Sequence, residues 1–351
     1  MEPKTIAVGE RVVGPSAPTF IIAEAGVNHD GNVELAKRLV DAAAEAGADA
    51  VKFQTFKAEK VVAPHAPKAN YQKVAVSPGE SQLEMVRRLE LSPDAFRELK
   101  EYCDRKGLLF MSSPFDDDSV DLLDQLGVRV FKIPSGEVVN HPFLENIARR
   151  GRPLIMSTGM CCLSEVDEAV RAIRRTGNEQ LILLHCVSNY PANPADANLR
   201  AMHTMQAAFG VPVGYSDHTL GIEVALAAVA MGACVIEKHF TLDRTLPGPD
   251  HRASLEPEEL AALVKSIRNV EAALGHGRKE PAASEAETAA VARRSLVAAR
   301  DIDPGTVLAE WHIAVKRPGT GLPPSMRKYL IGRRARVMIP ADTLLALEYL
   351  E

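Results

Sequence analysis

Residues 211–241 read VPVGYSDHTLGIEVALAAVAMGACVIEKHFT, and the fold follows from how that stretch divides. VPVGYS is short and β-prone, LGIEVALAAVAMG is small, apolar and helix-compatible, and ACVIEKHF is a second strand. A strand–helix–strand unit joins parallel strands, so both finish at one edge of one sheet. Each ends in a histidine, His218 and His239. Neighbouring strands lie about 5 Å apart, which lets imidazoles at adjacent ends reach one ion or one substrate atom. Side chains alternate along a strand, so Ser216 shares a face with His218, and Glu237 with His239. Histidines at strand ends can also be plain structural caps; their polar company is what points to a site.

The same rhythm runs through most of the chain. Strands are read at AEAG, KFQTF, FMSSPF, FKIPSG, IMSTG, LHCVSNYP, GYSDHT and IEKHF, each followed by a helical pattern. Eight such units over about 250 residues is the arithmetic of a TIM (β/α)8 barrel, whereas a doubly wound sheet seldom needs eight strands with no edge marked. Ahead of the first strand, TIAVGERVVG suggests a hairpin, and NHDG is a turn cluster. Ser92 and Pro93 start one helix, and SLEPEE starts the last. The segment 57–81 is long, proline-containing and irregular, the usual signature of a loop over a functional site; it holds Tyr71 in KANYQK. The expected catalytic domain spans 1–275. A polar, alanine-rich linker follows over 276–292, and 293–351 forms a small module, too short for a large core of its own and so expected to dock.

Composition narrows the function. The net charge is −5 and the pI near 6.1, with no long basic run, which argues against nucleic acid as a partner. No apolar run approaches the roughly 20 residues of a membrane span, and MEPKTIAVGERVVG lacks the apolar core of a signal peptide. Cys103, Cys161, Cys162, Cys186 and Cys234 include no C-x-x-C pair. They read as reduced thiols in a cytoplasmic protein, with adjacent Cys161 and Cys162 incidental.

Barrel enzymes keep their catalytic groups at the C-terminal ends of the strands. Here those ends carry Glu24 on the first strand, Lys52 and Gln54 on the second, Ser113 on the third, and Lys132 with Ser135 on the fourth. Ser157 and Thr158 follow on the fifth, Ser188 and Tyr190 on the sixth, Ser216 and His218 on the seventh, Glu237 and His239 on the eighth. A structural interior would not carry so many polar groups at one rim, since each costs desolvation unless paired. Lys52 and Lys132 among hydroxyls make an anion pocket fit for a phosphate and a carboxylate. His218 and His239 supply two neutral nitrogens for a divalent ion (Mn²⁺, Mg²⁺, Fe²⁺, Co²⁺ or Zn²⁺) with open positions for water and substrate. Glu24 and Glu237 are the acid–base candidates, and Asp250 in LPGPDH is placed to bond a polyol. A Schiff-base lysine is the competing use; Lys238 points outward by alternation, and the hydroxyls around Lys52 and Lys132 favour an anion.

With these residues in place, the chain resembles the sialic acid synthase family: the N-acetylneuraminate synthases and their legionaminate and pseudaminate relatives. The resemblance rests on IAEAGVNHDG, ADAVKFQTF, KANYQ, SSPFD, FKIPSGE, STGM, HCVSNYP, GYSDHT, IEKHFT, PGPDH, RRSLVA and KRPGTG, in order over the whole chain. It implies a TIM barrel followed by an antifreeze-like SAF domain. It also implies a domain-swapped homodimer in which each small domain covers the partner's barrel mouth. The implied reaction condenses phosphoenolpyruvate, N-acetylmannosamine and water to N-acetylneuraminate and phosphate. The alternative acceptor is a 2,4-diacetamido-trideoxyhexose, giving legionaminate or pseudaminate. Lys52, Ser113, Lys132, Ser135, Ser157, Ser188 and Ser216 would hold phosphoenolpyruvate. Gln54, Tyr71, Tyr190, Asp250 and Arg317 would contact the sugar, and His218 and His239 would hold Mn²⁺ or Mg²⁺, with Co²⁺ a further candidate. Ser188 and Asn189 depart from the asparagine expected in that stretch of neuraminate-specific enzymes. Against a phosphorylated acceptor stands the lack of a second basic cluster; against a non-catalytic carbohydrate- or ice-binding protein stands the intact polar rim.

Overall fold

The computed structural model describes residues 4–68 and 80–351. It divides into two compact units, Met1–Gly275 and His276–Glu351.

The first unit opens with an antiparallel hairpin, β1 (Ile6–Val8) and β2 (Arg11–Val13). Eight strands follow: β3 (Phe20–Gly26), β4 (Ala50–Thr55), β5 (Leu109–Pro114), β6 (Phe131–Ile133), β7 (Leu154–Ser157), β8 (Leu181–Cys186), β9 (Val213–Asp217) and β10 (Val235–His239). They form one sheet in the order β5-β4-β3-β10-β9-β8-β7-β6, and every pairing is parallel. β5 and β6 pack side by side at the closing seam, without a ladder among the described residues. The result is a nearly closed TIM barrel, as the βα rhythm leads one to expect.

Alternation sorts each strand into an inner and an outer face. Phe20 and Ile22, Ala50, Met111, Val130, Ile155, Ile182, Leu184 and Val235 fill the lower interior, and Ile6, Val8 and Val13 of the hairpin join the same buried cluster. The hairpin thus closes the barrel's N-terminal end. Two residues further along these strands the inner face turns polar: Glu24, Lys52, Ser113, Lys132, Ser157, Ser216 and Glu237 are all buried. Gly214 lies below Ser216, where a Cβ would stand 2.4 Å from Val235 O, so no other residue fits without moving β10.

Helix boundaries follow capping chemistry. Helix α1 (Val33–Glu45) is capped by Asn32, which accepts from the Glu34 and Leu35 amides. Within the segment read as irregular there is a short helix, α2 (Ala58–Val61). At residue 82, where that segment ends, α3 (Gln82–Arg88) begins, and Ser81 and Glu84 form its capping box; S-x-x-E was the overlooked signal. Helix α4 (Pro93–Lys106) starts at Ser92 as expected and ends at left-handed Gly107, φ 68°. No helix among the described residues is long and apolar enough to cross a membrane.

The second unit corrects one expectation. Its strands β11 (Ser295–Ala298) and β12 (Ile313–Lys316) pair antiparallel. Leu296, Ala298, Ile302, Leu308, Ile313, Leu330, Ala335, Ile339, Leu345 and Leu350 pack into a buried core. A module expected to lack a core of its own has one, because apolar residues from successive short turns converge. The stretch read as a linker carries a helix over Ala286–Ala292, bonded back through Gly319 N to Ala290 O at 2.7 Å.

Candidate active site

The polar upper layer of the barrel interior opens into a cavity of about 440 Å³, lined by Glu24, Lys52, Gln54, Ser113, Lys132, Ser135, Ser157, Ser188, Tyr190, Ser216, His218, Glu237, His239 and Asp250. Fourteen of the sequence-derived site residues therefore meet at one place. Tyr71 lies outside the described residues. Arg317 belongs to the second unit, where its Nε donates to Ala292 O at 3.1 Å.

Two lysines and two glutamates form the centre. Lys52 Nζ lies 2.8 Å from Glu24 Oε2 and 3.7 Å from Glu237 Oε2, and donates to Ser113 Oγ at 3.2 Å. Lys132 Nζ donates to Ser157 Oγ at 2.8 Å and lies 3.4 Å from Glu237 Oε1. Ser216 Oγ donates to that same oxygen at 2.9 Å. Gln54 Nε2 donates to Glu24 Oε1 at 3.2 Å.

This arrangement separates the two carboxyl groups. Burial pushes Glu24 up to about 7; Lys52 works against the rise and the charge of Glu237 adds to it. Glu237 is buried as deeply, and burial opposes its ionisation, but Lys132 and Lys52 outweigh that cost and hold it at about 2. The lysines part as well. Burial lowers Lys52, yet its two carboxylate neighbours lift it above the ordinary range. Lys132, with Glu237 as its nearest acid and Lys52 repelling it, stays below that range because burial prevails. A further negative charge beside it would favour its ammonium form.

The histidines stand beside this cluster, their ring centroids 5.4 Å apart. His218 Nδ1 meets Val187 O at 2.7 Å, which puts a proton on Nδ1 and makes Nε2 the nitrogen that could serve as a ligand. Burial, with the neighbouring His218 adding, drives His239 well below the usual imidazole value. Its buried Nδ1 has no hydrogen-bond partner and lies 3.9 Å from Asp250 Oδ2. Burial works against charge on His218 too, but Cys186, the Val187 carbonyl and Glu237 lift it above the usual imidazole value, so a divalent ion, which suits nitrogens converging from adjacent strands, would have to displace its proton. Among the described residues no group of three or more His, Cys, Asp or Glu could hold a metal, so an ion here would draw its other ligands from water and substrate. Burial raises the Asp250 carboxyl to about 6, and the Tyr190 ring lies 4.1 Å from that of His218.

Three features escaped the sequence reading. Cys186 is buried at the rim with Sγ 3.7 Å from His218 Nδ1; it lies two residues before Ser188, so the inner-face rule alone points to it. Gly159 passes close behind two of the site serines: its N–H donates to Ser135 Oγ at 2.9 Å, and a Cβ there would lie 2.2 Å from Ser188 Oγ. One wall of the cavity is apolar, built from Val27, Phe56, Val61, Met85, Leu89 and Phe115. It depends on α2 and α3, in and beside the stretch read as irregular.

Known proteins bear on this geometry. Residues 39–279 match the NeuB family, and residues 293–351 match the SAF domain. The N,N'-diacetyllegionaminic acid synthase of Legionella pneumophila is 49% identical over 342 residues, covering 96% of this chain and 96% of that protein. The protein of the same name from Campylobacter jejuni is 47% identical over 329 residues, 93% of this chain and 98% of the other. The crystal structure of N-acetylneuraminic acid (sialic acid) synthetase from Leptospira borgpetersenii, in complex with citrate, aligns with a TM-score of 0.73 at 41% identity, covering 82% of this chain and 95% of that one.

Proposed function

The chain belongs to the NeuB family, a family of nonulosonate-synthesising enzymes, and on that premise we propose that it condenses phosphoenolpyruvate with a 2,4-diacetamido-trideoxyhexose to make a legionaminate-type sugar acid. The observation that carries the reaction is the pair of buried lysines, Lys52 and Lys132, set among serines with spare capacity for an anion. The acceptor moves from the N-acetylmannosamine expected from the motifs to a diacetamido sugar. The two legionaminate relatives support that move, and so does the apolar wall. A 6-deoxy methyl and a second acetamido methyl need apolar surface, which the hydroxyl-rich tail of N-acetylmannosamine does not.

On this reading C3 of phosphoenolpyruvate bonds to the aldehyde carbon and the aldehyde oxygen takes a proton. Water adds at C2 with loss of a proton, and phosphate leaves by C–O cleavage. Lys52 and Lys132, with Ser113, Ser135, Ser157, Ser188 and Ser216, hold the phosphate and carboxylate and stabilise the charge that builds on them. Glu24, poised near 7, is present in both protonation states at neutral pH and suits the proton transfers. Glu237 stays ionised between the lysines and keeps both in place. Gln54, Tyr190 and Asp250 face the acceptor. A divalent ion held by His218 and His239 would supply Lewis-acid polarisation of the aldehyde oxygen. Arg317 as reader of an N-acyl group, and the homodimer implied with it, belong to the same proposal. Arg317→Ala is expected to raise KM for the acceptor several-fold with KM for phosphoenolpyruvate unchanged; an equal rise in both would remove Arg317 from that role.

The test is phosphate release from phosphoenolpyruvate with Mn²⁺, offering N-acetylmannosamine and 2,4-diacetamido-trideoxyhexoses separately, with products read by mass. Preference for a diacetamido sugar is expected. Turnover with N-acetylmannosamine alone would make the protein a neuraminate synthase, and no release with any acceptor would overturn the reaction.

A further inference from the structure

Outside the barrel interior, under the helical layer, lies a second buried lysine–carboxylate pair. Lys238 Nζ donates to Asp217 Oδ2 at 2.6 Å and to Thr219 O at 2.7 Å. Asp217 Oδ1 accepts from Thr219 N at 2.9 Å and from Thr219 Oγ1 at 2.8 Å. Lys238 and Asp217 are each 1% exposed, and Thr219 is fully buried. These residues interleave with the histidines: Asp217 and Thr219 flank His218, and Lys238 precedes His239.

The ladder explains why this placement matters. β9 and β10 pair at Ile236↔Tyr215, Glu237↔Ser216 and Lys238↔Asp217, and there the pairing ends. His218 lies beyond the last rung, so main-chain bonds between the two strands do not set its distance from His239. Lys238 bridges the two strand ends at this point, gripping the side chain before His218 and the carbonyl after it. His218 is also tied on its other side, where its carbonyl accepts from Ala192 N at 2.8 Å. A buried ion pair is a weak source of net stability, because desolvation offsets most of the attraction. Its strict geometry is what it contributes here.

We infer that Lys238, Asp217 and Thr219 form a positioning clamp on the outer face of the barrel that sets the spacing of His218 and His239 for a divalent cation. The inference rests on the assignment of those histidines to a metal. Lys238 touches neither substrate nor ion; it acts through the backbone of the strand ends.

The experiment measures Mn²⁺ binding to metal-free protein by electron paramagnetic resonance, and phosphoenolpyruvate binding by calorimetry, for wild type, Lys238→Met and the double variant Asp217→Asn/Lys238→Met. The double variant removes both charges together and so avoids a stranded buried carboxylate. Both variants are expected to bind Mn²⁺ about tenfold or more weakly, as loss of support behind metal ligands does, with phosphoenolpyruvate affinity within twofold of wild type. If neither variant folds, Thr219→Val, which deletes one donor to Asp217, is measured the same way with the same expected direction. Variants that bind Mn²⁺ as wild type does, or that lose Mn²⁺ and phosphoenolpyruvate equally, would overturn the clamp. A wild-type protein that binds no Mn²⁺ would overturn the metal assignment itself.

Discussion

Two sets of buried lysines, separated by one strand's thickness, differ in how completely they are satisfied. Lys238 has a carboxylate at 2.6 Å and a carbonyl at 2.7 Å, and its aspartate is bonded twice more by Thr219. Lys52 and Lys132 share Glu237 at 3.7 and 3.4 Å, and Glu237 Oε2 makes no hydrogen bond. The outer set is paired within itself, at hydrogen-bond distance throughout. The inner set is open, and incompletely paired polar groups facing a cavity are what a transferring phosphate can use.

The largest effect expected from this contrast is at Lys132. Lys132→Met should cost about a thousandfold in kcat/KM, the order seen when one charge-stabilising donor is deleted, with a smaller fall in melting point than Lys238→Met causes, since Lys52 still faces the Glu237 carboxylate. A melting point that falls as far as that of Lys238→Met would erase the distinction between open and closed sets.

A smaller effect sharpens the electrostatics. Glu24 titrates near 7 in the folded protein against an ordinary value of 4.5. Between those values the folded state holds the extra proton, so stability declines as pH rises through that window. Glu24→Gln should flatten the decline in thermal melts across about pH 4 to 8, since the amide does not titrate; an unchanged slope would show that the inner set is better paired than the distances indicate.

The smallest concerns the apolar wall of the cavity. Val61, 40% exposed and lining the cavity, should matter only to an acceptor with methyl groups to bury. Val61→Asn is expected to lower kcat/KM about tenfold for the diacetamido sugar and to leave N-acetylmannosamine unaffected. Equal losses on the two sugars would mean that the wall does not read the acceptor.

The inner set was legible in the sequence because two rules suffice for it: alternation along a strand, and function at the strand ends. Those rules place Glu24, Lys52, Lys132, Glu237 and both histidines without any knowledge of packing. They also turn Lys238 outward, but not to its partner, since pairing Lys238 with Asp217 requires the β9–β10 register. Cys186 was passed over because a thiol was not counted among polar groups, although it sits in step with Ser188. The apolar wall lay hidden because the Ser81–Glu84 capping box was not weighed and the segment before it was read as loop. The core of the second unit was missed because length was counted where converging apolar residues should have been.

The hairpin at the barrel floor has a kinetic meaning. With Ile6, Val8 and Val13 packed into the lower interior, the floor is shut among the described residues, and two reactants entering from the strand-end side would follow one another. On the proposed reading the anion whose groups reach Lys132 lies deeper than the sugar above it. Loading is then a queue, with the phosphorylated reactant first and inorganic phosphate the last to leave, and inhibition by phosphate should be competitive with phosphoenolpyruvate alone.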